Sequence, residues 1–309
     1  MTAAMWESGR ECGDVAVSSP TVLRRWLAFE LARLRKDAGL SQKQAAARLN
    51  RAQSHISNLE TGPGAKDRRN IPALAEVEVL LDHYGRQDLV PQFRQLLEQC
   101  RRKHWWEGLP AGVIPPLFDF YLGLEEGAVA IECYDALTVT GLLQCRAYAE
   151  VLLRGHGSTL AEDEVARRVE LRLGRQAVLD RDEDPLRLWA ILDESVLHRM
   201  IGGPAVMAAQ LEHLLKAAER PGIQLQILPA ILPTTHGVHP GLHGSFTRMT
   251  FPTPGDPGLV YLESRLGGSY HEEQGEIDEY AEIMNHLRVL ALTPDQSADL
   301  IRHRRKDLP

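Results

Sequence analysis

The chain has 309 residues, of which 44% are hydrophobic and 25% charged, and its 35 Lys and Arg against 42 Asp and Glu give a formal net charge of −7. That length has room for about two domains, and the composition supplies ordinary globular cores. No apolar run is long enough to span a bilayer, and the overall acidity by itself argues against nucleic acid. Residues 1–20 lack a basic start followed by an apolar stretch. They are therefore expected as a disordered lead-in and not as a signal peptide. The four cysteines, Cys12, Cys100, Cys133 and Cys145, have no metal-binding spacing and read as free thiols of a cytoplasmic protein.

Leu23, Trp26, Leu27, Leu31 and Leu34 recur at helical spacing, which predicts an amphipathic helix from about Val22 to Ala38. Gly39 ends it, and Ser41 is a natural N-cap for a second helix whose inward face is Ala45, Ala46 and Leu49. Asn50 to Ala52 form a tight turn. A third helix follows, with Ile56 and Leu59 inward and Gln53, Ser54, Ser57 and Asn58 outward. Glu60 and Gly62 come after that helix, and Gly62-Pro63-Gly64 breaks it. Ile71–Tyr84 supplies another amphipathic helix. Val90 to Trp106 reads as one charged helix leading away, and residues 91–112 as a linker helix and hinge.

Charge is unevenly spread. Residues 21–70 hold eleven Lys and Arg against four Asp and Glu, whereas residues 111–309 hold 18 against 29. A basic segment on an acidic chain suits a DNA-reading head on a body that avoids DNA. Amide and hydroxyl side chains on an exposed helical face can hydrogen-bond to base edges in a major groove. Over roughly residues 23–82 the pattern resembles the XRE, lambda-repressor-like, helix-turn-helix family. On that reading Gln53 and Asn58 read bases, Ser54, His55 and Ser57 add contacts, and Gln42, Lys43 and Arg51 bind phosphate. Lys66, Arg68 and Arg69 of the long following loop could touch phosphates or simply form a basic loop.

The second half, 113–309, opens with Leu117–Leu124 and continues through Ala128–Tyr134, a short β-like run. Val139–Ala149 reads as a turn leading into a helix, and Glu162–Leu179 as an amphipathic helix. Leu186–Leu192 and Ile223–Leu228 read as strands joined by a helix over Ala205–Ala218, a parallel pair with a crossover. Ser245–Phe251 and Leu259–Glu263 are two more strands, expected antiparallel, and Ile277–Leu292 a closing helix. The fold class expected is an all-α helix-turn-helix head followed by a mixed α/β domain.

Several short stretches recur in this order in a known domain. They are Thr140-Gly141-Leu142-Leu143-Gln144 with Tyr148-Ala149, Arg172 with Arg175-Gln176, Leu192–Leu197, Gln210-Leu211, Leu228-Pro229, Gly241 with Gly244-Ser245-Phe246, and Val260–Glu263. The chain from about Trp105 onward resembles the actinobacterial domain that follows an XRE head in WhiJ-like regulators. That resemblance implies transcriptional regulation, supplies no reaction, and points to a small companion protein as partner. Arg168 and Arg172 with Gln144 are the candidate surface, because arginine faces make bidentate contacts to acidic partners. Internal pairing of these arginines with Glu164, Glu170 and Asp193 is the alternative.

His236, His239 and His243 fall within eight residues. They could bind zinc or serve as hydrogen-bond partners in a loop, and the expectation is no metal site and no cofactor. Asp193, Glu194 and Glu263 sit at strand ends, available for acid–base work or for structural pairing with Arg172, Arg175, Arg199 or Arg265. No phosphate loop, nucleophile elbow or Cys–His pairing is present. The reading is a sequence-specific transcriptional regulator that binds double-stranded DNA as a homodimer and is not an enzyme. An enzyme or an antitoxin-like partner-binding protein carrying the helix-turn-helix for autoregulation is the alternative.

Overall fold

The structure is a computed structural model that describes residues 19–61, 71–110, 112–115, 118–155, 160–182, 184–232, 239–253, 255–264 and 267–309. The lead-in apart from Ser19 and Pro20, together with Cys12, Lys66, Arg68, Arg69, His236 and Arg265, lies outside the described residues. The chain divides into two compact units. The first takes residues up to Gly108 together with Asp119–Gly127 and Phe251–Asp256; the second takes Leu109–Phe118, Ala128–Thr250 and Pro257–Pro309.

The first unit is helical. Helix α1, Pro20–Asp37, starts two residues earlier than its apolar spacing predicts, because Ser19 caps it and Pro20 occupies the first turn. Gly39 leaves it at φ 69°. Helix α2, Gln42–Arg48, carries a reciprocal cap: the Ser41 side chain accepts from the Gln44 N–H, and Gln44 accepts from the Ser41 N–H. Helix α3, Gln53–Thr61, runs through Glu60 instead of ending before it. Helix α4 spans Leu74–His83 and α5 spans Val90–Cys100.

Leu27, Leu31 and Leu34 of α1, Ala45 and Ala46 of α2, and Ile56 and Leu59 of α3 share one core with Leu80 of α4. Phe93, Leu96, Leu97 and Cys100 of α5 lie in that same core, so the segment expected as a hinge contributes a fifth helix to the head. The helix stops at Cys100, where its apolar stripe gives way to Arg101-Arg102-Lys103 and Arg24 Nε donates to the Cys100 carbonyl at 2.8 Å. Trp105–Gly108 form a separate 3₁₀ turn.

Helix α6, Phe118–Gly127, packs against the start of α1. A Cβ at Gly123 would stand 2.1 Å from Thr21 Oγ1, and one at Gly127 2.5 Å from Val22 Cγ2, so both glycines are required by close approach. Arg25 forms a buried ion pair with Asp256 at 3.0 Å and lies over the Phe251 ring.

The second unit is a six-stranded mixed sheet with helices. In chain order come β1, Ala130–Asp135; α7, Arg146–Arg154; α8, Glu162–Gly174; β2, Arg187–Asp193; α9, Ser195–His198; α10, Pro204–Ala218; and β3, Ile223–Leu228. They are followed by β4, Phe246–Thr250; β5, Leu259–Ser264; β6, Gly267–His271; α11, Gln274–Leu290; and α12, Pro294–Lys306. The spatial order is β3-β2-β1-β4-β5-β6. β1, β2 and β3 are parallel, and β4, β5 and β6 continue antiparallel.

Ile277, Met284 and Leu287 of α11 close a core on Tyr134, Ile191, Phe246 and Val260 of the sheet. The expected helix Glu162–Leu179 ends at Gly174 and tightens into a 3₁₀ stretch, Arg175–Asp180, with the Arg175 guanidinium over the Phe118 ring. Among the described residues no helix is long and apolar enough to cross a membrane. The architecture is an all-helical N-terminal region with a helix-turn-helix, followed by a mixed α/β region.

Candidate nucleic-acid interface

The two helices of the motif meet at Asn50, whose φ of 52° reverses the chain. Asparagine tolerates that left-handed conformation better than most side chains. The Arg51 N–H donates to the Ala46 carbonyl at 2.9 Å and fixes the turn. Beyond it, α3 buries Ile56 and Leu59 and exposes Gln53, Ser54 and Asn58, with Ser57 half-buried beside them. Lys43 and Arg51 are exposed. One helical face therefore combines carboxamides, hydroxyls and flanking cations.

Two residues expected at this interface are engaged internally. Gln42 Nε2 donates to Glu60 Oε2 at 3.0 Å. His55 Nε2 lies 2.5 Å from Glu76 Oε1 of α4, which turns the imidazole toward the fourth helix. Glu60 is in turn held by Arg35, Nε to Oε1 at 2.6 Å and Nη2 to Oε2 at 2.7 Å, with the two side chains only 9% and 6% exposed. Arg35 also donates to the Leu40 carbonyl, and the hydrogen bond to Glu60 raises its pKa. This pair is not legible from residue spacing. Its signal was a charged residue, Arg35, beside the buried stripe Leu27-Leu31-Leu34.

The second unit holds the other candidates. Gln144 is buried, and its Nε2 donates to the Val139 carbonyl at 2.6 Å. Arg172 Nη1 donates to Gln144 Oε1 at 2.8 Å, and Arg168 to Glu164 and to the Gly112 carbonyl. Gln144 thus does not lie at a surface, and the two arginines are tied within the unit. Asp193 accepts from the Tyr134 hydroxyl at 3.1 Å and from the Ser195 N–H at 2.9 Å. Glu194 accepts from the Ala230 N–H at 2.9 Å and faces His198 at 3.5 Å. Glu263 is exposed at the end of β5.

His239 has both ring nitrogens engaged. The Gly241 N–H donates to Nδ1 at 3.1 Å, so Nε2 is the protonated nitrogen that donates to the Pro229 carbonyl, also at 3.1 Å. His243 is exposed. Among the described residues no group of three or more His, Cys, Asp or Glu could hold a metal ion.

Two families match the chain. A helix-turn-helix domain covers residues 26–93. A domain of unknown function, DUF5753, covers residues 118–303, more than half of the chain. The chain belongs to the DUF5753 family. No curated protein matches it, and no solved structure does.

The DUF5753 match begins at the first residue of α6 and ends inside α12. Its span therefore includes Asp119–Gly127 and Phe251–Asp256, the two segments that complete the helical first unit. The helix-turn-helix match ends inside α5, whose buried stripe shares the core of α1–α4.

Proposed function

We propose that this DUF5753 protein is a sequence-specific transcriptional regulator that reads double-stranded DNA with α3. The observation that carries the reading is the split of that helix into a buried Ile56–Leu59 side and an exposed Gln53–Ser54–Asn58 side. A carboxamide can bond adenine bidentately at N6 and N7, and the adjoining Lys43 and Arg51 supply phosphate contacts. A helix of nine residues spans about 13 Å and reads a few base pairs. Two copies on half-sites about one helical turn apart gain affinity and specificity together, so the protein acts as a homodimer.

The α/β unit is the regulated part, receiving a ligand or a partner protein that shifts DNA affinity. Regulation is favoured over catalysis because Asp193, Glu194 and His239 spend their polar atoms on internal hydrogen bonds. The test is selection of bound sequences from random DNA with the full chain. A recovered motif that loses base preference in Gln53→Ala and Asn58→Ala supports the reading. A motif unchanged by both substitutions overturns it.

A further inference from the structure

Phe251–Asp256 belongs to the helical first unit, although the strands on either side of it, β4 and β5, belong to the second. Its side chains grip α1. Arg25 Nε and Nη2 donate to the two carboxylate oxygens of Asp256 at 3.2 and 3.0 Å, and Thr253 Oγ1 donates to Asp256 Oδ2 at 3.2 Å. The Arg25 guanidinium lies 5.6 Å from the centre of the Phe251 ring. The side chains of Arg25 and Asp256 are only 10% and 3% exposed. Both anchors run straight into the sheet. Phe251 adjoins the last residue of β4, and Pro257 and Gly258 are all that separate Asp256 from β5. Pro257 fixes one backbone dihedral. Gly258, at φ 85°, lies so close to the Met249 carbonyl that a Cβ would stand 2.4 Å from its oxygen. Met249 is itself paired with Leu259. Little slack is left between the grip on α1 and the two strands.

Further along α1 stands Arg35, whose paired hydrogen bonds to Glu60 reach the last turn of α3. Arg25 and Arg35 are about 15 Å apart along the helix axis. α1 is thus a stiff rod carrying two buried arginine–carboxylate pairs, one on the β4–β5 connection and one on the helix that exposes Gln53 and Asn58. Breaking a buried ion pair strands one charge. The grip on α1 is therefore either closed or released and does not stretch by degrees. Coupling between distant sites needs such an element with two discrete arrangements.

We infer that the β4–β5 connection is the clamp through which the α/β unit sets the DNA affinity of α3. With Asp256 on Arg25, α1 is held and presents α3 for reading. With the pair broken, α1 loosens and DNA binding weakens. The inference names the element that carries the regulation and so rests on the regulator reading. Linkage between binding events is reciprocal. If the state of β4 and β5 changes DNA affinity, DNA shifts the state of β4 and β5 in turn, so the clamp is tested with DNA alone.

The experiment is amide hydrogen exchange of the full chain with and without a duplex carrying the selected site. The expected result is exchange slowed at least about five-fold by DNA in β4 and β5 as well as in α3, with β3 and α10 unchanged. Asp256→Asn keeps the side-chain volume and removes the charge. It is expected to weaken DNA binding at least about five-fold and to abolish the slowing in β4 and β5. A second variant carries Gly-Ser-Gly-Ser on both sides of Phe251–Asp256. It keeps the grip on α1 but slackens its link to the strands, so DNA affinity stays near that of wild type while the slowing in β4 and β5 is lost. A purely structural ion pair would not produce that separation. Circular dichroism checks folding, and either variant that folds decides. Slowing confined to the helices of the first unit overturns the assignment. So does slowing spread equally over β3 and α10, the general stabilisation of a folded chain by its ligand, and so does slowing in β4 and β5 that survives in either folded variant. If selection recovers no DNA motif, the regulator reading fails and the clamp falls with it. If a motif is recovered and the strands do not respond, the clamp alone fails.

Discussion

Arg35 of α1 grips Glu60 of α3 through two parallel hydrogen bonds, and the pair is nearly out of contact with water. It joins the first helix to the last turn of the helix that presents Gln53 and Asn58. Gln42 of α2 completes the link on the same carboxylate. Removing one member of a buried ion pair leaves the other charge uncompensated, at a cost of about 3–5 kcal/mol. Arg35→Ala is expected to lower stability by that amount in urea denaturation. Arg35→Met combined with Glu60→Leu recovers most of the loss, because an apolar pair of similar volume avoids the stranded charge. A loss below about 1 kcal/mol in the single variant would mean the pair is solvated.

Base-reading and phosphate-binding residues differ in what their loss does. Gln53→Ala and Asn58→Ala are expected to cost about 1–3 kcal/mol at a single base position and to relax preference there. Lys43→Ala and Arg51→Ala weaken all sequences alike and reduce the salt slope by about 1 each. Fluorescence anisotropy at several salt concentrations, on the selected site and on single-base variants of it, separates the two behaviours.

His55 is engaged with a neighbouring helix. Its Nε2 is directed at Glu76 on α4, so His55→Ala is expected to lower the melting temperature while leaving the selected DNA motif unchanged. A changed motif at full stability would put the imidazole back among the DNA contacts.

Gly123→Ala tests the fit of α6 on α1. The new methyl group would meet Thr21 Oγ1 at 2.1 Å and Thr21 Cβ at 2.6 Å, distances that force one element to move. Overpacking of this kind costs about 1–3 kcal/mol. Thr21→Ala in the same chain removes Oγ1 and Cγ2 but keeps Cβ, so it restores only part of the loss, measurable by thermal denaturation of the single and double variants.

Asp135 should make stability fall with rising pH. Burial raises its carboxyl pKa to about 7, the Cys133 hydrogen bond opposes this, and nearby Glu263 adds to it. Its Oδ2 is buried with no hydrogen-bond partner among the described residues. The native chain therefore holds a proton that the unfolded chain, with an ordinary carboxyl near about 3.9, has already released. The contribution is fully present below the unfolded pKa and is lost as pH rises through about 7. Asp135→Asn is expected to raise Tm at pH 8 by about 2–8 °C, the shift that about 1–2 kcal/mol produces in a chain of this size. It should change little at pH 4. An equal effect at both pH values would show that the carboxyl titrates normally.

Elements with strong periodicity were legible before the structure. The stripe Leu23-Leu27-Leu31-Leu34, the Ser41 cap and the strands around Ile191 and Leu225 all follow from residue spacing. Elements such as β6 and α12 were not legible from hydrophobic pattern. β6 reads Gly-Gly-Ser-Tyr-His and has no apolar alternation; Gly268 is there because a Cβ would lie 2.0 Å from the Tyr261 ring. α12 is polar nearly all round, although Thr293-Pro294-Asp295-Gln296 spells a capped helix start, and that cap is formed. In the candidate interface, spacing along α3 predicted which residues face outward. It could not predict that Gln42 and His55 hydrogen-bond to Glu60 and Glu76, since those partners lie 18 and 21 residues away.

The ion pair between Arg25 and Asp256 spans 231 positions of sequence. During synthesis α1 leaves the ribosome early, yet the residue that neutralises its buried guanidinium is made only after β4. The N-terminal unit thus cannot be finished as a free-standing module. Grafting residues 19–108 onto another protein would leave Arg25 without this acid and Thr21 without the helix that covers it.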